Sequence, residues 1–407
     1  LSWKPRWQSI LRSLVMVPEG WSYRTISEIL EKVSNPVDVD SSATYREIGI
    51  RSHGKGIFHK EPILGKILGN KRVFHIEPDC FVVNIVFAWE QAIAKTSEAE
   101  VEMIASHRFP MFRPKSGLCD IDFILYFFNT KKGKFLLELA SPGGAGRNKT
   151  LGQSEFAKLG LLLPSAEEQK KIAQILSTWD KAITTTEQLL ANSQQQQKAL
   201  MQQLLTGKKR LLDKNGVRFR GEWKSYHLSH VTVIVMGSSP KSEAYNENGI
   251  GLPLLQGNAD IKNRISAPRV FTSEITKECE IGDILLSVRA PVGTVAISEH
   301  KACIGRGIAA LHAKPNFDQS FIYQFLLWFE PKWGSLSQGS TFESINSDDI
   351  KNLKIKVPNF GEQQKIAAVL STADQEISAL QQKLDALKQE KSALMQQLLT
   401  GKRRVIN

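Results

Sequence analysis

The ten residues ALMQQLLTGK stand at Ala199–Lys208 and again at Ala393–Lys402, 194 positions apart. Sliding the chain by that interval without gaps matches 24 of 45 positions from Pro164 and Pro358 onward, which marks an internal duplication. Two similar halves also suit a length of 407 residues, which exceeds one ordinary domain.

Each copy spells out both ends of a helix. Ser165 and Asn359 stand as N-caps with Glu168 and Glu362 three residues on, the spacing of a capping box. Gly207 and Gly401 can close the helices in a left-handed conformation, with Lys208, Lys209 and Arg210, or Lys402, Arg403 and Arg404, at the negative dipole end. The helices between are about 40 residues each, roughly 60 Å at ~1.5 Å per residue. In the second copy Ile366, Leu370, Ala373, Ile377, Leu380, Leu384, Leu387, Leu394 and Leu398 alternate steps of four and three, broken by Lys391, as in a coiled-coil seam. The first copy keeps the register through Ile172, Leu176, Trp179, Ile183, Leu190, Leu200 and Leu204, but sets Thr186, Ser193 and Gln197 on the seam. So weak a stripe is not stable alone in water, so the two helices are expected to pack on each other. SQQQQK at Ser193–Lys198 reads as the polar middle of a helix, because the heptad resumes after it.

A segment of different character precedes each helix. Both begin on a similar entry, VPEGWSYRTISEIL around Trp21 and FRGEWKSYHLSHV around Trp223, and both end in a glycine-bearing turn and a short strand running to proline. In the second, DILLSV at Asp283–Val288 is turned by RAPVG into TVAI, a β signal. The first reads as mixed, with strands near Phe81–Phe87 and Phe123–Phe128. The expected architecture is α+β: globular units at 1–163 and 211–357, helices at 164–210 and 358–407 forming an antiparallel coiled coil, and pseudo-twofold symmetry.

Fifty-three Lys and Arg against 41 Asp and Glu leave a net charge of +12, which favours a polyanionic partner. The surplus is +5 over 1–163, +3 over 164–210, +2 over 211–361 and +2 beyond, so it is a long basic surface and not a basic tail. Cys80, Cys119, Cys279 and Cys303 lie far apart without ligand spacing, which signals neither zinc nor a disulfide framework and suits a reducing cytoplasm. The apolar run Phe81–Trp89 is too short to cross a bilayer. Leu1 in place of methionine suggests a trimmed start.

The entry tryptophan, a variable globular unit, then EEQKKIAQILSTWDKAI and ALMQQLLTGKKR, all repeated, resembles the specificity subunit of type I restriction-modification systems. MGSSPKSEAYNENGIGLPLLQGNADI, EIGDILLSVRAPVGTVAI, IGRGIAAL and SQGSTFESI extend the resemblance through the second unit, so that it spans about Val17–Arg404. It implies two target recognition domains, each reading half of an asymmetric bipartite DNA sequence. It implies helices that space those domains and dock two methyltransferase subunits and, through them, restriction subunits. No cofactor is expected in this chain; S-adenosylmethionine, ATP and Mg belong to the partners.

Base contacts need a long polar side chain on a stiff support, phosphate contacts a cation or amide on an exposed loop. In the second unit Arg289 at the tip of a Pro-Gly turn leads, with Lys241, Asn258, Lys262, Arg264 and Arg306 as a stripe beside it. In the first, GIRSHGKGIFHK offers Arg51, His53, Lys55, His59 and Lys60; SHRFPMFRPK adds Arg108, Arg113 and Lys115, with Phe109 and Phe112 read as core. GGAGRNKT fails as a phosphate loop, since Asn148 stands where glycine is required, but Arg147 and Lys149 remain DNA-binding candidates. No methyltransferase signature is present and Pro78-Asp79 lacks the partners of a nuclease site. A divergent methyltransferase or nuclease, and a coiled-coil protein scaffold, are the rival readings.

Overall fold

A computed structural model describes residues 17–143, 149–336 and 344–405. The chain divides into two compact units, Leu1–Thr185 with Lys383–Asn407, and Thr186–Gln382. Each long helix, Ala166–Leu204 and Phe360–Leu398, is 39 residues and therefore begins in one unit and ends in the other.

In unit 1 the entry strand Ser22–Thr25 pairs antiparallel with the exit strand Gly160–Leu163, so the globular part is closed where the helix leaves it. Between them an antiparallel four-stranded sheet orders Leu30–Val33, Met111–Pro114, Phe81–Val83 and Ile93–Lys95. Phe81, Phe128 and Phe156 pack at ring centroid distances of 5.6–5.9 Å in a core that also takes Ile172 and Leu176 of the first long helix, Leu398 of the second and Leu399 just beyond its end. The two helix pieces run antiparallel here: Glu168, at the start of one, holds Arg404, beyond the end of the other, through two 2.8 Å hydrogen bonds.

Unit 2 repeats the plan. Lys224–His227 pairs with Lys354–Val357, and Met201, Leu204 and Leu205 share a core with Ile366 and Leu370. Arg210 holds Glu362 through two 2.6 Å hydrogen bonds. A six-stranded sheet orders Thr232–Met236, Ile308–Ala313, Ile284–Ser287, Val295–Ile297, Ile265–Ser266 and Ile261–Lys262. A five-stranded sheet orders Tyr245–Asn246, Val270–Thr272, Leu252–Leu255, Ala302–Ile304 and Glu278–Cys279.

The duplication extends to buried polar contacts. Gln169 accepts from the Asp120 amide at 2.9 Å and donates to the Pro164 carbonyl at 3.0 Å; Gln363 does the same with Asp318 and Pro358, both at 2.9 Å. Asp120 and Asp318 cap the helices Ile121–Phe128 and Gln319–Phe329. The polar seam positions are also paired: Lys391 binds Asp180, which accepts from the Tyr126 hydroxyl at 2.6 Å, while Gln197 binds Asp374, which accepts from Gln324 at 2.6 Å. Asp180 and Asp374 are repeat equivalents, as are Gln197 and Lys391. Ser193 donates to Glu376 at 3.2 Å, and SQQQQK is helical throughout.

Three expectations need correction. Residues Phe123–Phe128 are helix, not strand: the Asp120 side chain caps the Phe123 amide, and Phe123, Ile124, Phe127 and Phe128 face the core at helical spacing. The strand at Phe81 ends at Val83, and Asn84–Phe87 is a loop leading to a single 3-10 turn. Only half of each capping box forms. Ser165 and Asn359 cap the Glu168 and Glu362 amides at 3.3 and 3.0 Å, but both carboxylates turn to the arginines beyond the other helix. Gly207 and Gly401 do close the helices, at φ of 71° and 72°.

Candidate nucleic-acid interface

In unit 2 three glycines bring four loops to one rim. A Cβ on Gly237 would lie 2.1 Å from the Gly305 carbonyl oxygen, and one on Gly307 would lie 2.2 Å from that of Gln256, so backbone packs directly on backbone. The Ser238 amide donates to Ile304, that of Gly305 to Leu255, that of Val288 to Gly307, and that of Arg306 to the Ser239 hydroxyl, at 2.8–3.2 Å. Arg306 thus stands exposed between two buried glycines. Arg289, exposed, follows Val288 and precedes the cis Ala290–Pro291 bond; its backbone bridges to Ser344. Lys241 is exposed after Ser239 and Pro240, its amide tied to Glu274, and Asn258 is half-buried after Gly257. This rim joins Arg289, Arg306, Lys241 and Asn258, and adds Ser239 and Gln256, which lie within the quoted stretch MGSSPKSEAYNENGIGLPLLQGNADI but were not singled out from the sequence.

Lys262 and Arg264 belong to the Ile261–Ser266 hairpin, whose tip residues Asn263 and Arg264 have φ of 49° and 67°. Lys262 is exposed. Arg264 donates to the Val295 carbonyl at 3.1 Å and to Glu330 at 2.5 Å, so its guanidinium braces the hairpin.

In unit 1 the backbone of Ile85 is the organising point: its amide donates to Arg108 and its carbonyl accepts from Leu151, at 3.0 and 2.8 Å. The exposed Arg108 and the half-buried Lys149 are thereby drawn beside the Asn84–Glu90 loop, and the Lys149 ammonium lies 5.5 Å from the Trp89 ring centre. The turn at Arg51–Gly56 is tied to the same loop, His53 and Gly54 donating to the Glu90 and Gln91 carbonyls at 2.7 and 2.9 Å. His53 and Lys55 are exposed on it. Arg51 covers Phe58 at 4.7 Å and donates to the Ile57 carbonyl, and Lys60 faces Glu47 at 3.5 Å. His59 pairs with Glu100 at 2.7 Å, away from this group. Arg113 binds Glu31, which holds the guanidinium above its usual range, and Lys115 donates to the Ser27 carbonyl. Phe112 is core as expected, whereas Phe109 is half-buried. Arg147 lies outside the described residues.

Among the described residues no cluster of His, Cys, Asp and Glu could hold a metal ion, and no helix is long and apolar enough to cross a membrane. The four cysteines are free. Exposed cations stand on both rims, Arg289, Arg306 and Lys241 in unit 2 and His53, Lys55 and Arg108 in unit 1.

The model of the type I restriction modification DNA specificity domain matches twice, over residues 18–192 and 220–389. The putative type I restriction enzyme MjaX specificity subunit of Methanocaldococcus jannaschii is 29% identical, over 96% of this chain and 95% of its own. The HsdS subunit from Thermoanaerobacter tengcongensis superposes with a TM-score of 0.54 at 24% identity, covering 96% of this chain and 99% of that one. The S subunit from M. genitalium does so at 0.60 and 16% identity, over 94% and 99%. Two matched segments that together span most of the sequence, each ending in one of the duplicated helices, place the chain in the family of type I restriction modification DNA specificity subunits, which recognise DNA and are not themselves catalytic.

Proposed function

We propose that the globular parts at 1–163 and 211–357 each enter the major groove over one half of a bipartite target, and that the helical segments at 164–210 and 358–407 set the gap between the halves. The helices also dock two methyltransferase subunits and, through them, the restriction subunits, which bring S-adenosylmethionine, ATP and Mg; the complex works in the cytoplasm. The observation that carries this reading is the duplication of the junction between globular part and helix: Asp120 with Gln169 and Asp318 with Gln363 make the same contacts. Two reading heads with the same mount and different sequences suit two different half-sites.

Discrimination then comes from a few base-edge contacts of about 1–3 kcal/mol each, over salt-sensitive phosphate binding. Sequencing methylated adenines in host DNA, with and without this chain, tests it. The expected result is one two-part motif that disappears with the chain. Methylation unchanged by its loss, or DNA modification by the isolated chain, would overturn the proposal.

A further inference from the structure

We propose that unit 1 carries a receptor for a single nucleobase whose pairing edge sets an exocyclic amine beside an acceptor ring nitrogen, adenine or cytosine. A hollow of about 470 Å³ opens beside the candidate cations, within the size range of small-ligand sites. Its wall includes Phe58, Phe87, Phe109, Asn84, Lys60 and Glu90. Asn84 is only 8% exposed. Its Oδ1 accepts from the Val86 amide at 3.1 Å, which fixes the orientation of the side-chain amide and makes the other atom the nitrogen. Asn84 lines the hollow, and no described residue accepts from its Nδ2. Glu90 gives one carboxylate oxygen to the Ser52 hydroxyl at 3.0 Å, which leaves the second for a guest.

A donor and an acceptor held on rigid backbone, among three phenyl rings, match a flat heterocycle that offers both a ring nitrogen and an amino group. The exposed Lys60, which lines the hollow, suits the phosphate attached to such a base. A base inside a duplex cannot enter a hollow, so the occupant is a base swung out of the stack. This rests on the DNA-reading role proposed above for unit 1; a free nucleotide is the other source of the same chemistry.

The test uses the full chain and duplexes of the motif found by methylation sequencing, with 2-aminopurine or pyrrolocytosine placed singly along each half-site. One position in one half-site should show a several-fold fluorescence rise on binding. Asn84→Asp keeps the acceptor for the Val86 amide but removes the free donor, and Phe87→Ala alters a ring already 38% exposed. Both should abolish the rise, while low-salt duplex binding, carried by phosphate contacts, stays within about twofold. In a second arm AMP and CMP are titrated into the chain; saturable binding lost in Asn84→Asp would support the site and assign it to a free nucleotide. Motif-specific binding with no rise at any position and no nucleotide binding would overturn the inference. A chain that binds no duplex refutes the DNA-reading role, and the nucleotide arm then decides the hollow by itself.

Discussion

Glu362 has no exposed side-chain surface, and both its oxygens are held by Arg210. Removing one partner of such a pair leaves a buried charge uncompensated. Arg210→Ala should cost about 3 kcal/mol or more, read by chemical denaturation of unit 2, while replacing Arg210 and Glu362 together by Met and Leu should cost far less. Two other carboxylates respond to pH with opposite sign. Burial raises the Glu168 carboxyl, but Arg404 and the Val405 amide outweigh it and hold it below 4.5, so its stabilisation is present above 4.5 and lost as pH falls through the folded value. Burial dominates at Asp374 and holds it above 3.8 despite Gln324 and Gln197, so its contribution is present below 3.8 and lost as pH rises through the folded value. Hydrogen exchange along the helices in acid should therefore show Glu168→Gln removing an acid-induced loss in unit 1, and Asp374→Asn removing an acid-induced gain in unit 2.

The long helices were legible because both ends are local signals and the seam between them has a period. What the sequence could not give was the use of the polar seam positions, since Asp180 and Asp374 acquire their partners only when a globular helix and a second spacer segment converge on them. The helix at Ile121–Phe128 was misread because its aromatic run suits a buried strand equally well; Asp120 before it was the signal that decides. Of the candidate contacts, Arg289 and Arg306, on loops punctuated by proline or glycine, stand exposed on one rim. Arg264 was not separable from them, because its ion pair with Glu330 spans 66 positions. At this scale, deleting Leu190–Gln196 and Leu384–Glu390 together preserves the heptad and shortens each helix by ~10 Å. The methylated motif should keep its bases and lose about three base pairs of gap; new bases with the old gap would sink that division of labour.

Over the whole molecule, the net charge of +12 is spread through globular and helical segments alike, so binding should be strongly salt-dependent and not confined to one tail. The logarithm of the binding constant should fall linearly with that of salt concentration. Lys241→Ala and Arg306→Ala should each lower the slope by about one if they meet phosphates, and Arg264→Ala should leave it unchanged. Arg404 donates to the Glu19 carbonyl in unit 1 as Arg210 donates to that of Gly221 in unit 2, but only the second pair is spanned by continuous backbone, 11 residues long. Glu19 and Arg404 therefore meet at a joint whose twin is an ordinary loop with an exposed tip at Asn215 and Gly216. A circularly permuted chain, with a linker bridging the first joint and new termini opened at Asn215 and Gly216, should melt near the parent and methylate the same motif.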